Sequence, residues 1–229
     1  MTNIPIHLPN IMKRILLAGL LASLALPLTA ANDAANKLVA AAHAVRETGD
    51  TKTAVKLMKQ AIAADPTDAT LQTDYANLLT VRINEVNFMV KGAIAGKMLS
   101  AYRKSVELDP YHVVGWIGLC RYYLNAPAIA GGSVDKAETY AKEVFAILPS
   151  QGEVEFALIA EKRGDLAAAA EHFRTALSVR PDHGEALAGL SRVGADQVRI
   201  TRSRGSIPCL TAVASHSMRP HQSSGTAPT

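Results

Sequence analysis

The residues with the best claim to chemistry are two adjacent glycines ahead of a helix. In "YYLNAPAIAGGSVDKAETYA", residues 122–141, Gly131 and Gly132 precede a segment with helical spacing. Backbone N–H groups at a helix start bind anions, so a phosphate cradle is one reading and a turn between packed helices the other. No strand pattern precedes the glycines and no Lys-Ser or Lys-Thr pair follows them, so the context of a phosphate loop is missing. The other chemistry-bearing residues are scattered. Seven histidines stand at 7, 43, 112, 172, 183, 216 and 221, and none makes the i, i+4 pairing with a carboxylate that a helical zinc site needs. Glu153 and Glu155 lie near a helix start, where acids favour the helix dipole. No G-x-S-x-G or CxxC occurs, and neither Cys120 nor Cys209 has an evident His partner. The expectation is no catalytic site, no metal and no cofactor: a protein that is not an enzyme.

What holds these residues must be mostly helix. Aromatics are 5% of the chain against 48% hydrophobic residues, with Ala dominating, which suits closely packed helices. The N-terminus reads as an address. In "MKRILLAGLLASLALPLTAAN", Lys13 and Arg14 precede an apolar run from Ile15 to Leu28, and Thr29 and Ala31 are placed for cleavage before Asn32. That order makes 1–31 a signal peptide, with translation starting at Met1 or at Met12, and predicts export to a bacterial periplasm. The fourteen apolar residues fall short of a membrane span, so no stable span remains after cleavage. The formal charge of +4 comes from the chain ends: residues 32–195 carry 18 basic and 19 acidic side chains. No basic face for nucleic acid survives that subtraction.

Internal repetition sets the architecture. "AVKLMKQAIAADP", "AYRKSVELDP", "AETYAKEVFAILP" and "AAEHFRTALSVRP" each read as an amphipathic helix stopped by Pro66, Pro110, Pro149 or Pro181. In the last the key positions are Ala169, Phe173, Ala176 and Pro181; in the first, Ala54, Met58, Ala61 and Pro66. The third repeat adds Trp116, Leu119, Cys120 and Tyr123 ahead of Ala137, Ala141, Val144 and Pro149, and the second is the weakest, with Met98, Tyr102, Ser105 and Pro110. Over roughly 34–194 the chain resembles the tetratricopeptide repeat family. The resemblance implies an all-α superhelix of about four antiparallel helix pairs plus a partial capping helix. "RETGD" and "EKRGD" predict matching turns, with Gly49 and Gly164 ending one helix and Asp50 and Asp165 capping the next.

Two places depart from the pattern. Five surplus residues fall in "NAPAIAGGSV", which reads as an enlarged turn in which Pro127 ends a helix, the glycines reverse the chain and Ser133 caps the next helix. The second repeat holds about ten surplus residues between Leu79 and Met98, with no turn cluster before Gly92 and Gly96. Lengthened helices, projecting as a rim or a contact between copies, are expected there. After Ala195 the helical period gives way to Ser, Thr, Pro and Gly, so 196–229 is expected to be a disordered or aberrant basic tail beside a 32–195 repeat domain. Stacked repeats imply a concave groove, whose inward positions fall at Asn36, His43, Asn77, Arg121, Asn125 and Arg192. The functional expectation is a periplasmic adaptor for a protein or peptide, with a self-associating subunit of an envelope assembly as the alternative.

Overall fold

The computed structural model describes residues 32–203, with side chains described to Asp196. The expected leader, 1–31, and nearly all of the expected tail lie outside the described residues. Nine α-helices and no strand are present among the described residues. They are α1 (32–47), α2 (Thr51–Ala64), α3 (Ala69–Arg82), α4 (Phe88–Leu108), α5 (Val113–Asn125), α6 (Val134–Ile147), α7 (Pro149–Arg163), α8 (Leu166–Val179) and α9 (Gly184–Ser203). The expected four pairs and capping helix form. The cap continues to Ser203, past the boundary expected at 195, so the helical period extends into the composition change.

Local chemistry sets each boundary. Asp50, Asp68, Asn87, Ser133 and Asp165 cap α2, α3, α4, α6 and α8, each side chain accepting a first-turn backbone N–H. Gly49 and Gly164 take positive φ, as their turn positions require. Pro149 opens α7 at a position where its missing N–H costs nothing. One turn lies elsewhere than the glycines suggest. The chain reverses over 83–87, where Asn87 caps α4 through Val90 N–H, and Gly92 and Gly96 lie inside that helix. Asn-Glu-Val-Asn lacks Gly and Pro, so the cap is the only sequence signal.

Helices adjacent in sequence pack together, and α3, α5, α7 and α9 also touch in succession. Among the described residues no such contact joins α2, α4, α6 and α8. The odd-numbered layer is therefore the closer-spaced one and lies on the inside of the curve. The repeat positions become the core: Ala54, Met58, Ala61, Ala137, Ala141, Val144, Ala169, Phe173 and Ala176 are all fully buried. Met98, Tyr102 and Ser105 of the weakest repeat are buried too, in the same register.

Bulky side chains of the outer helices press against glycines of the next inner helix. A Cβ at Gly118 would lie 2.2 Å from the Tyr102 ring, and one at Gly189 would lie 2.2 Å from the Phe173 ring. Phe173 is fully buried and has no room to swing aside. Gly189→Ala is accordingly expected to destabilise the fold by about 1–3 kcal/mol through overpacking. Combining it with Phe173→Leu should cost less than the two single losses added together. Additive losses in chemical denaturation would show that the two positions do not share that space.

Candidate functional site

Among the described residues lies an apolar groove of about 730 Å³. Its walls are the C-terminal half of α3, the 83–87 turn, α4, α5 and the enlarged loop after α5. Ala95 and Met98 of α4, Tyr102 below them, and Val114 and Ile117 of α5 give it an apolar surface. Asn77, Thr80, Asn84 and Asn125 supply neutral polar groups around it. Tyr102 Oη donates to Asn77 Oδ1 at 2.8 Å, and Asn125 Nδ2 donates to the Arg121 carbonyl at 2.9 Å. Each amide is thus oriented by one internal bond and keeps its other atom for a ligand.

The enlarged loop forms one wall rather than an anion cradle. Ala130 N–H and Gly132 N–H donate to the Pro127 carbonyl, Gly131 N–H to the Ala128 carbonyl and Ser133 N–H to the Tyr123 carbonyl. The loop amides from Ala130 to Ser133 are therefore already spent. Tyr122 Oη pins the loop further by donating to the Ala130 carbonyl at 3.0 Å. Gly131 has φ +85°, whereas a Cβ at Gly132 would sit 1.8 Å from the Ala126 oxygen. One glycine serves the turn and the other serves close packing.

Asn77, Arg121 and Asn125 line this groove together. Asn36 and His43 on α1 and Arg192 on α9 are not among its lining residues. Arg192 holds α9 to α7 through a paired contact with Glu161 at 3.0 and 2.6 Å. Arg121 is likewise committed internally. Its Nη2 reaches Glu155 Oε1 at 2.6 Å, its Nε lies 3.1 Å from both Glu155 oxygens, and Glu185 lies at 2.8 Å.

Sequence reasoning missed most of this network. Glu155 does not serve the helix dipole at a surface; it is 0% exposed and points to α5. Gln151 donates to Glu155 Oε1 at 2.9 Å and to Glu185 at 3.4 Å, leaving its oxygen 3.1 Å from His183 Nε2. That arrangement makes His183 Nε2 the donor. The available signal was Glu155's position four residues before Ile159, on the packed stripe of α7. Glu153 instead meets His172 Nδ1 at 2.7 Å, so the two glutamates serve different contacts and form no pair. Burial opposes the Arg121 charge, but Glu155 and Glu185 outweigh it and raise the guanidinium above its ordinary range.

The final repeat carries an independent signature: residues 154–207 match the family model described as Tetratricopeptide repeat. A thermophilic TPR protein of Thermus thermophilus superposes with TM-score 0.60 at 17% identity, over 82% of this chain and 95% of that one. Residues 154–207 thus carry a tetratricopeptide repeat, and the described helices share the fold of tetratricopeptide-repeat proteins. Two further solved structures share the fold of these repeats. Pseudomonas aeruginosa pilF gives TM-score 0.54 at 13% identity, covering 77% of this chain and 74% of its own. A human IFIT1 dimer with PPP-AAAA gives 0.62 at 18%, over 73% of this chain and 40% of that one. No curated protein matches the sequence.

Removing the Arg121 side chain strands a buried carboxylate, so Arg121→Ala is expected to cost about 3–5 kcal/mol at neutral pH. A loss below about 1 kcal/mol in urea denaturation would mean that Glu155 is solvated or partnered some other way. Burial alone would raise the Glu185 carboxyl, but the Arg121 and Gln151 contacts outweigh it and hold the carboxyl below its usual range. A depressed carboxyl contributes stability at neutral pH that is lost as pH falls through and below about 4. Glu185→Gln should therefore lower the melting temperature more at pH 7 than at pH 3. Equal losses at both values would show that the charge plays no part.

Proposed function

We propose that this chain is an adaptor of the bacterial periplasm that binds an uncharged, apolar segment of a protein partner in the groove between α3, α4, α5 and the 126–133 loop. The observation that carries this reading is the groove's composition: an apolar surface edged by part-satisfied amides, whose one lining charge, Arg121, is already taken up by carboxylates. Asn77 and Asn125 hold the ligand's backbone while its side chains fill the space beside Met98 and Ile117. Binding without chemistry suits a repeat fold in which Arg121, Glu155, Glu161, Glu185 and Arg192 are tied up in holding helices together. Export rests on the charged, apolar and small-residue order of 12–31, and no described helix is long and apolar enough to cross a membrane.

Peptides selected on the full chain from a random library should be poor in Asp, Glu, Lys and Arg. Asn77→Ala and Asn125→Ala should each weaken them by about 3- to 10-fold, the value of one hydrogen bond. Selection of charged peptides, or affinities indifferent to both changes, would move the site elsewhere. The periplasmic fraction should yield a chain beginning near Asn32; a chain confined to the cytoplasm with its N-terminus intact would remove the address from the proposal.

A further inference from the structure

The outer helix α4 has 21 residues where α2, α6 and α8 have 14 each. The surplus extends it by about 10 Å. All six residues from Phe88 to Ala93 are exposed, and they are apolar or small except for Lys91. Phe88 is 82% exposed and Met89 89%. A projection meant only for water would carry polar groups there.

Two glycines in the same segment sharpen the point. A Cβ at Gly92 or Gly96 would meet nothing within 4 Å, so no packing inside the chain requires either one. Both nevertheless stand in a helix interior, where glycine is less favourable than alanine. Phe88, Gly92 and Gly96 follow at i, i+4 and i+8 on one face. Set antiparallel to a copy of itself about Gly92, this face places Phe88 of each helix against Gly96 of the other. The large and small positions are mutually complementary, as a two-fold contact demands. Lys91 lies about 100° around the helix from Gly92, so its charge flanks the contact rather than being buried in it.

We infer that two copies of this chain pair through the projecting turns of α4. The partner is a second copy because the face complements its own reverse. Phe88, Met89 and Val90, with Ile129 (93% exposed) on the short turn packed against α4, expose on the order of 500 Å² per copy. A standard stable interface buries about 800 Å² per partner. The dimer is therefore a reversible one, with a dissociation constant in the micromolar range. It does not depend on what occupies the groove.

Sedimentation equilibrium of the full chain between about 1 and 100 μM tests it. The mass should rise toward twice that of the monomer, and Phe88→Ser and Gly96→Leu should each raise the dissociation constant by about tenfold or more. Both sites are exposed, so unchanged helical circular dichroism should accompany the loss. A monomer throughout the range, or a dimer indifferent to both variants, overturns the inference. Monomeric protein whose flotation with phosphatidylglycerol–phosphatidylethanolamine vesicles is lost in Phe88→Ser overturns it as well, and assigns the projection to a lipid surface.

Discussion

Stacking in this chain depends on bulky outer-layer side chains seated against glycines of the following inner helix. Tyr102 rests against Gly118, and Phe173 against Gly189. Gly152 lets α7 approach the backbone of α6 at Phe145 in the tightest of the connections, where Leu148 both ends α6 and begins α7. A helix pair has two apolar sides and can cover only one by itself, so each pair depends on the next. The alanines at 54, 61, 137, 141, 169 and 176 bring helices together within pairs, while the glycines bring pairs together. Losing a methyl group at these points brings backbones close enough for dispersion contacts that no rotamer adjustment would replace.

Charge then fixes what apolar packing leaves loose. Three inner helices meet through Arg121, Glu155, Gln151, His183 and Glu185, and Arg192 with Glu161 adds a second tie between α7 and α9. A buried carboxylate is costly unless it is paired and hydrogen-bonded, and Glu155 is both. Its value lies in position: the pair forms only when α5 and α7 are in one register. The same commitment removes the most conspicuous charge of the concave side from partner binding. What remains there is apolar surface and amide, so the groove's uncharged character follows from how the stack is fastened.

Much of this was legible because repeats state the same physics several times. Ala169, Phe173 and Ala176 announce one outer helix, and the same spacing at Ala54, Met58 and Ala61 confirms the rule, so even the weak Met98, Tyr102, Ser105 copy fell in register. Asp50, Asp165 and Ser133 were readable as caps because capping is a local bond. The failures were non-local or lacked the usual residues. Asn84 to Asn87 turn the chain without Gly or Pro, whereas Gly92 and Gly96 advertised a turn and sit in helix. Arg121 looked like a ligand-binding residue because its partners are 34 and 64 residues away. The groove residues Asn77 and Asn125 could be placed on a face, but only the fold shows that they converge while Asn36, His43 and Arg192 do not.

The two departures from the repeat pattern act on one place. Surplus residues in the second repeat lengthen α4, and surplus residues in the third build the loop that closes the other side of the groove, packing against α4. Without the first, Ala95 and Met98 would have no wall beyond them; without the second, Pro127 and Ala130 would not be there to face it. The cavity is therefore shared between the repeat helices and the additions. The repeats supply the frame, and the additions supply the exposed Phe88, Met89 and Ile129. A regular stack of four pairs would have had the same core and the same ion pairs but neither this groove nor the projecting Phe88 and Met89. Frame and groove are not fully separate, because Tyr102, Gly118 and Arg121 both fasten the stack and line the groove.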